Sequence, residues 1–289
     1  MTRIIEHLSE ISSMYDAAFV DLWGCLHNGI AAFPEAVAAC RTFRRQGGKV
    51  VLLTNAPRPR ATIAEQVRRF GIPDDAWDTI ATSGDSARFA MFSGAVGNRV
   101  YHIGPEHDLV FFEPLKMMDH PVAITRVPLT GAEGIVCTGP FDPHADPSVN
   151  RPDFLYAKTK GMKLLCANPD IVVDRGETRE YCAGALAALY SEMGGESLYF
   201  GKPHPAIYDL ARRRLAEFAQ VPDDRILCIG DGIATDVRGA MGESLDVLYI
   251  TGGLAAAETG TIRQPDPAML ETYLEAQQTS VTYAMGYLR

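Results

Sequence analysis

Four short motifs in this sequence carry side chains able to do chemistry, and each lies beside an apolar run or a helical pattern. Asp21 sits near the end of Ala17–Trp23 (AAFVDLW), and Thr54-Asn55 ends the run KVVLLT-N. Gly201-Lys202-Pro203-His204-Pro205 precedes a helical pattern, and Gly230-Asp231, with Asp236 five residues on, follows RILCI. Three acids, a hydroxyl and a lysine at such positions suit phosphoryl transfer. Carboxylates can hold Mg2+, which keeps several waters and bridges to phosphate oxygens. One carboxylate can attack phosphorus and form an aspartyl-phosphate. Thr54 and Lys202 can bind the phosphoryl oxygens as charge develops. Each motif alone has an ordinary reading: an Asp after a strand caps a turn, Thr-Asn before Ala-Pro makes one, and a single Lys is a solvated charge. Their order along the chain argues for chemistry.

To bring these groups together the chain needs parallel strands, because ligands of open α/β sheets gather outside the carboxyl ends of the strands. The spacing predicts strands at Ala17–Trp23, Lys49–Thr54, Asp78–Ala81, Arg225–Gly230 and Leu245–Ile250. Helices are predicted over Pro34–Gln46, opened by Pro and stopped by Gly47-Gly48, and over Arg60–Phe70, Asp85–Phe92 and Ala234–Met241. Apolar strands alternating with amphipathic helices indicate a doubly wound, mostly parallel Rossmann-like sheet. The middle differs: apolar segments Arg99–Gly104, Gly134–Gly139 and Met162–Cys166 lie between Pro- and Gly-rich loops, and a long small-residue helix is predicted over Glu177–Met193. The segments Gly94–Gly97 and Gly194–Gly195 look like two crossings. The division expected is a core of 1–95 plus 196–289 with a smaller α/β unit, 96–195, inserted into it.

Composition narrows the partners. The 289 residues are 47% apolar and 22% charged, ordinary for a folded chain of about two domains. Lys plus Arg number 27 against 36 acids, a formal charge of −9, which argues against nucleic acid as main partner. A small phosphorylated ligand needs only one local cationic site. The longest uncharged apolar run, Tyr181–Tyr190, is ten residues, short of the roughly 18 that a membrane helix needs. No secretory signal pattern opens the chain, and the six cysteines form no CxxC pair or zinc spacing. A reduced cytoplasmic protein is expected, its cysteines mostly small buried hydrophobes.

The four motifs together resemble the haloacid dehalogenase superfamily, and specifically its class IIA, the NagD-like phosphatases. The likeness runs from Asp16 to about Gly253. Asp21 matches the first-motif nucleophile, Thr54 the second motif, Lys202 the third, and Asp231 with Asp236 the fourth. Cys166-Ala167-Asn168-Pro169-Asp170 resembles the Asn-Pro-Asp loop of the class IIA cap, and Cys182-Ala183-Gly184-Ala185-Leu186 the small-residue helix after it. The resemblance implies that Asp21 attacks phosphorus. It implies Mg2+ on Asp21, the Trp23 carbonyl and Asp231, with Asp236 supporting that shell or Lys202. Thr54, Asn55, Lys202, Asp170 and His27 are the expected phosphate- or substrate-binding groups. The insertion would be the cap that selects substrate, with Asp170 near the entrance. A homodimer through the cap is left open.

One position departs from the family. Its phosphatases carry a second Asp two residues after the nucleophile, as general acid and then base; here Trp23 stands there. General acid–base help is worth about 10²–10⁴-fold. Four readings follow: turnover restricted to good leaving groups, a substitute such as His27, altered chemistry, or a chain that binds a phosphorylated ligand without turnover. Dinucleotide binding is weighed too, since Gly230-x-Gly232 opens a helix. Thr235 stands where the third glycine belongs, and Asp231 would face the pyrophosphate.

Overall fold

The computed structural model describes residues 2–114, 118, 120–175 and 178–289. In chain order the strands are β1 (Arg3–Ile4), β2 (Ala17–Val20), β3 (Lys49–Thr54), β4 (Thr79–Thr82), β5 (Arg99–Ile103), β6 (Thr125–Arg126), β7 (Gly134–Cys137), β8 (Lys163–Cys166), β9 (Val172–Arg175), β10 (Thr178–Tyr181), β11 (Glu196–Tyr199), β12 (Ile226–Gly230), β13 (Asp246–Ile250) and β14 (Tyr283–Met285). The helices are α1 (Pro34–Arg45), α2 (Arg60–Arg69), α3 (Ser83–Phe92), α4 (Arg151–Thr159), α5 (Ala183–Glu192), α6 (Pro205–Leu215), α7 (Arg238–Gly242) and α8 (Pro267–Ala276).

Two compact units result: Met1–Thr54, Ala64–Ala81 and Tyr208–Arg289 form the first, Asn55–Ile63 and Thr82–Ile207 the second. The first is built on a seven-stranded sheet in the order β1-β14-β13-β12-β2-β3-β4. Its pairings from β1 across to β3 are all parallel. β2 (AAFV) and β12 (ILCIG) are buried along their whole length, as expected of strands covered on both faces. α1 opens with Pro34 and Glu35 and ends with Arg44-Arg45, charges that complement its dipole. The second unit holds a five-stranded parallel sheet, β11-β8-β7-β5-β6, and the antiparallel pair β9–β10. Its buried residues include Ile135, Leu164, Leu186 and Tyr190. The predicted class, a mostly parallel α/β fold, is the one observed.

Two local expectations are corrected and one is refined. The helix predicted over Glu177–Met193 begins only at Ala183; Glu177 lies outside the described residues, and Thr178–Tyr181 is a strand paired with Val172–Arg175. Thr178 and Tyr181 on one strand, beside Val172 and Val173 on the other, favour pairing over helix. The stretch predicted as a helix over Ala234–Met241 is helical throughout, its first part, Ile233–Val237, being wider than an α-helix before it runs into α7. The strand predicted over Ala17–Trp23 stops at Val20, because the chain leaves the sheet there to make a Trp23–His27 bridge. Among the described residues no helix is long and apolar enough to cross a membrane.

Candidate active site

In the first unit, the pairing of β12 with β2 sets the geometry. Val20 lies opposite Ile229, and the Asp21 N–H donates to the Ile229 carbonyl at 2.8 Å. Asp21 and Asp231, far apart in sequence, therefore leave the sheet together at the carboxyl ends of adjacent parallel strands. A carboxylate oxygen from each and the Cys25 Sγ all lie within 4.8 Å of one another. The three residues are 7%, 6% and 1% exposed. Asp231 is held in place: its Oδ2 accepts the Leu254 N–H at 3.1 Å, and a Cβ on Gly24 or Gly253 would overlap its carboxylate. Gly24 also takes φ +78°, a conformation that suits glycine. Two buried carboxylates this close repel unless a cation or proton offsets them, so the donor set fits a divalent ion.

Asp236 is not one of the three residues in that 4.8 Å group. Its Oδ2 accepts from the Gly232 N–H and the Thr235 hydroxyl, each at 3.2 Å, and a Cβ on Gly230 would overlap it. It braces the Gly230–Gly232 turn that carries Asp231. Thr54 ends β3, on the other side of β2, and is buried.

Trp23 and His27 form an aromatic nest. The Trp23 and His27 rings meet edge-on at 5.3 Å, and His27 meets Phe70 at 4.9 Å. Gly29, at φ +83°, leaves room for the indole, since a Cβ there would overlap Trp23. His27 Nδ1 accepts the Gly29 N–H at 3.0 Å, which puts the proton of the neutral ring on Nε2. Burial pushes its pKa down to about 4. At neutral pH this ring is uncharged, unlike a protonated general acid.

In the second unit, Asn55 joins two of the other predicted residues. Its Oδ1 accepts the Lys202 N–H at 2.7 Å; its Nδ2 donates to the Lys202 carbonyl at 3.1 Å and to Asp170 Oδ1 at 2.8 Å. Lys202 is 2% exposed and is joined to Pro203 by a cis peptide. Asp170 closes an Asx turn, its N–H donating to Asn168 Oδ1 at 3.0 Å. The predicted site residues thus form local groups: Asp21 with Asp231, Trp23 with His27, and Asn55 with Lys202 and Asp170.

Sequence reasoning missed Cys25, which it placed among the bystander cysteines. The only local signal was its position four residues after Asp21, inside the first motif. The other five cysteines, like Cys25, are buried and outside any disulfide.

Residues 18–116 match the family model described as haloacid dehalogenase-like hydrolase, and residues 199–276 one described as HAD-hydrolase-like. No curated protein matches the chain. Among solved structures, a hydrolase of the haloacid dehalogenase-like family from Brucella suis 1330 is 36% identical over 99% of this chain and 100% of its own, with a TM-score of 0.85. A p-nitrophenyl phosphatase from Archaeoglobus fulgidus is 19% identical over 94% of this chain and 96% of its own, with a TM-score of 0.69. A glycerol phosphate phosphatase from Mycobacterium tuberculosis, in complex with calcium, is 21% identical over 88% of this chain and 71% of its own, with a TM-score of 0.63. The latter two share the fold. With whole-length identity to the Brucella protein and both family models matched, the chain belongs to the haloacid dehalogenase-like hydrolase family.

Proposed function

We propose that this hydrolase is a divalent-metal-dependent phosphatase of class IIA that acts on a small phosphorylated molecule. The observation that carries the reading is the buried Asp21–Asp231 pair on adjacent strand ends, its donor atoms spaced for one cation. The phosphatases that share its fold support it, one of them in complex with calcium. Asp21, Asp231 and the Trp23 carbonyl would hold Mg2+, which when bound offsets phosphate charge. Asp21 attacks phosphorus through a carboxylate oxygen, a P–O bond forms, and the bond to the leaving oxygen breaks with its electron pair. Water then attacks phosphorus of the aspartyl-phosphate, releasing inorganic phosphate and the Asp21 carboxylate. Thr54 and Lys202 bind phosphoryl oxygens, roles assigned from their motifs. Residues 96–195 serve as the substrate-selecting cap. Six buried cysteines, none in a disulfide, suit a reducing cytoplasm.

The Trp23 indole N–H is far too weak an acid to protonate a leaving group, so good leaving groups are favoured. The same residue, beside a neutral His27, favours the second reading: a family member that binds a phosphorylated ligand without turnover. Hydrolysis of p-nitrophenyl phosphate with and without Mg2+ separates the two. Mg2+-dependent turnover is expected, with a loss of about 10³-fold in Asp21→Asn. Aryl phosphates are expected to outpace alkyl phosphates by about 10²-fold or more. Turnover that is absent, or indifferent to Asp21→Asn, sinks the phosphatase reading; equal alkyl rates mean that some group replaces the missing acid.

A further inference from the structure

The Asn55 side chain has no donor left to give a phosphate. An amide carries two N–H donors and one carbonyl. One N–H is spent on Asp170 Oδ1 and the other on the Lys202 carbonyl, while the carbonyl oxygen takes the Lys202 N–H. The amide thus grips both polar groups of the Lys202 main chain, as a strand partner would, and ties them to a carboxylate in the Asn168-Pro169-Asp170 loop. Asn55 is 3% exposed, so losing these bonds would leave buried polar groups unpaired.

The surrounding chain is shaped to this grip. A Cβ on Gly201 would lie within 2.7 Å of Asn55 Oδ1, Ser83 Oγ and Pro169 Cδ, so only glycine fits before the lysine. The Asp170 carbonyl accepts the Gly184 N–H at 3.1 Å, and a Cβ on Gly184 would overlap the Pro169 carbonyl. Three segments that are distant in sequence, at 55, 168–170 and 201–202, close on one amide.

We propose that Asn55 is a positioning residue: its side chain sets the main chain that carries Lys202 and links it to Asp170, and that side chain does not itself bind phosphate. The role rests on the phosphatase reading; the grip does not. Replacing Asn55 by Asp puts a carboxylate against Asp170 and the Lys202 carbonyl, whereas exchanging the pair, Asn55→Asp with Asp170→Asn, restores a donor between them.

The test pairs a structural readout with kinetics. Hydrogen exchange of the Lys202 amide is expected to quicken about 10-fold or more in Asn55→Ala. Unchanged exchange overturns the grip, whatever the activity. With p-nitrophenyl phosphate and Mg2+, Asn55→Asp is expected to lose about 30-fold in kcat/KM at pH 7.5 and to recover towards acid pH, as a proton comes to be shared with Asp170. The exchanged pair is expected to regain at least about 5-fold over Asn55→Asp, and the Asn55→Ala and Asp170→Ala losses to be non-additive. Additive losses without rescue overturn the positioning role and return Asn55 to phosphate binding. A wild-type chain without turnover, but with the exchange effect, fails the phosphatase reading and leaves the grip standing. Variants are compared at equal melting temperature, and Asp170→Asn alone controls for lost charge.

Discussion

At the scale of single residues, the donor atoms near Asp21 differ in kind. Mg2+ prefers oxygen, whereas a thiol favours softer ions such as Cd2+ and Zn2+. With the Cys25 sulfur within 4.8 Å of both carboxylates, Cd2+ is expected to bind the wild-type protein about 10-fold or more tightly than Cys25→Ser, measured by calorimetry. Equal affinities would show that the sulfur stays off the ion. The two acids were legible as motif residues because a carboxylate after an apolar strand, repeated with Lys and Thr in order, is a pattern. Cys25 was not, because a cysteine beside a strand end reads as filler until its neighbours are known. Asn55 was legible as a site residue, but the use of its amide depends on which chain segments face it. His27 reads as the nearest spare base, yet its burial and its bond from Gly29 keep it neutral.

At the scale of elements, strand ends place the site and side-chain clamps hold the strands. Asp78 is the clearest clamp in the first unit. Its carboxylate takes a forked pair of bonds from Arg44 on α1, at 3.0 and 2.7 Å, and the Val50 N–H on β3 at 2.8 Å. Its side chain is 6% exposed. Asp78→Ala is expected to destabilise the protein by about 2–4 kcal/mol in urea unfolding, since it leaves the mostly buried Arg44 guanidinium with the Asp74 carbonyl alone and strips a strand N–H of its side-chain acceptor. A change below about 0.5 kcal/mol would mean that water replaces all three bonds. Most strands and helices around the motifs were legible from periodicity, and α1 ends within a residue of its predicted stop. The 177–193 stretch was not, because a short strand shows its character only beside its partner.

At the scale of the whole molecule, a bound ion adds its binding energy to stability. Both tryptophans, Trp23 and Trp77, lie in the unit that holds Asp21 and Asp231, so tryptophan fluorescence follows the unfolding of that unit. Saturating Mg2+ is expected to raise its melting temperature by several degrees, and to leave Asp231→Asn unmoved; a shift of equal size in the variant would place the ion elsewhere. Local spacing was enough to settle the α/β class, the parallel strands near the motifs, and the acids, lysine and hydroxyl suited to phosphoryl transfer. Those properties are carried by neighbours in the chain, through apolar period, turn residues and side-chain chemistry. Proximity was decided in three dimensions. Asp21 meets Asp231 because β12 pairs with β2, and Cys25 joins them because Gly24 turns the chain against Asp231. The Asn55 donors are spent because 168–170 and 201–202 fold onto them. Strand order and long-range pairing are properties of the whole chain, and no local period encodes them.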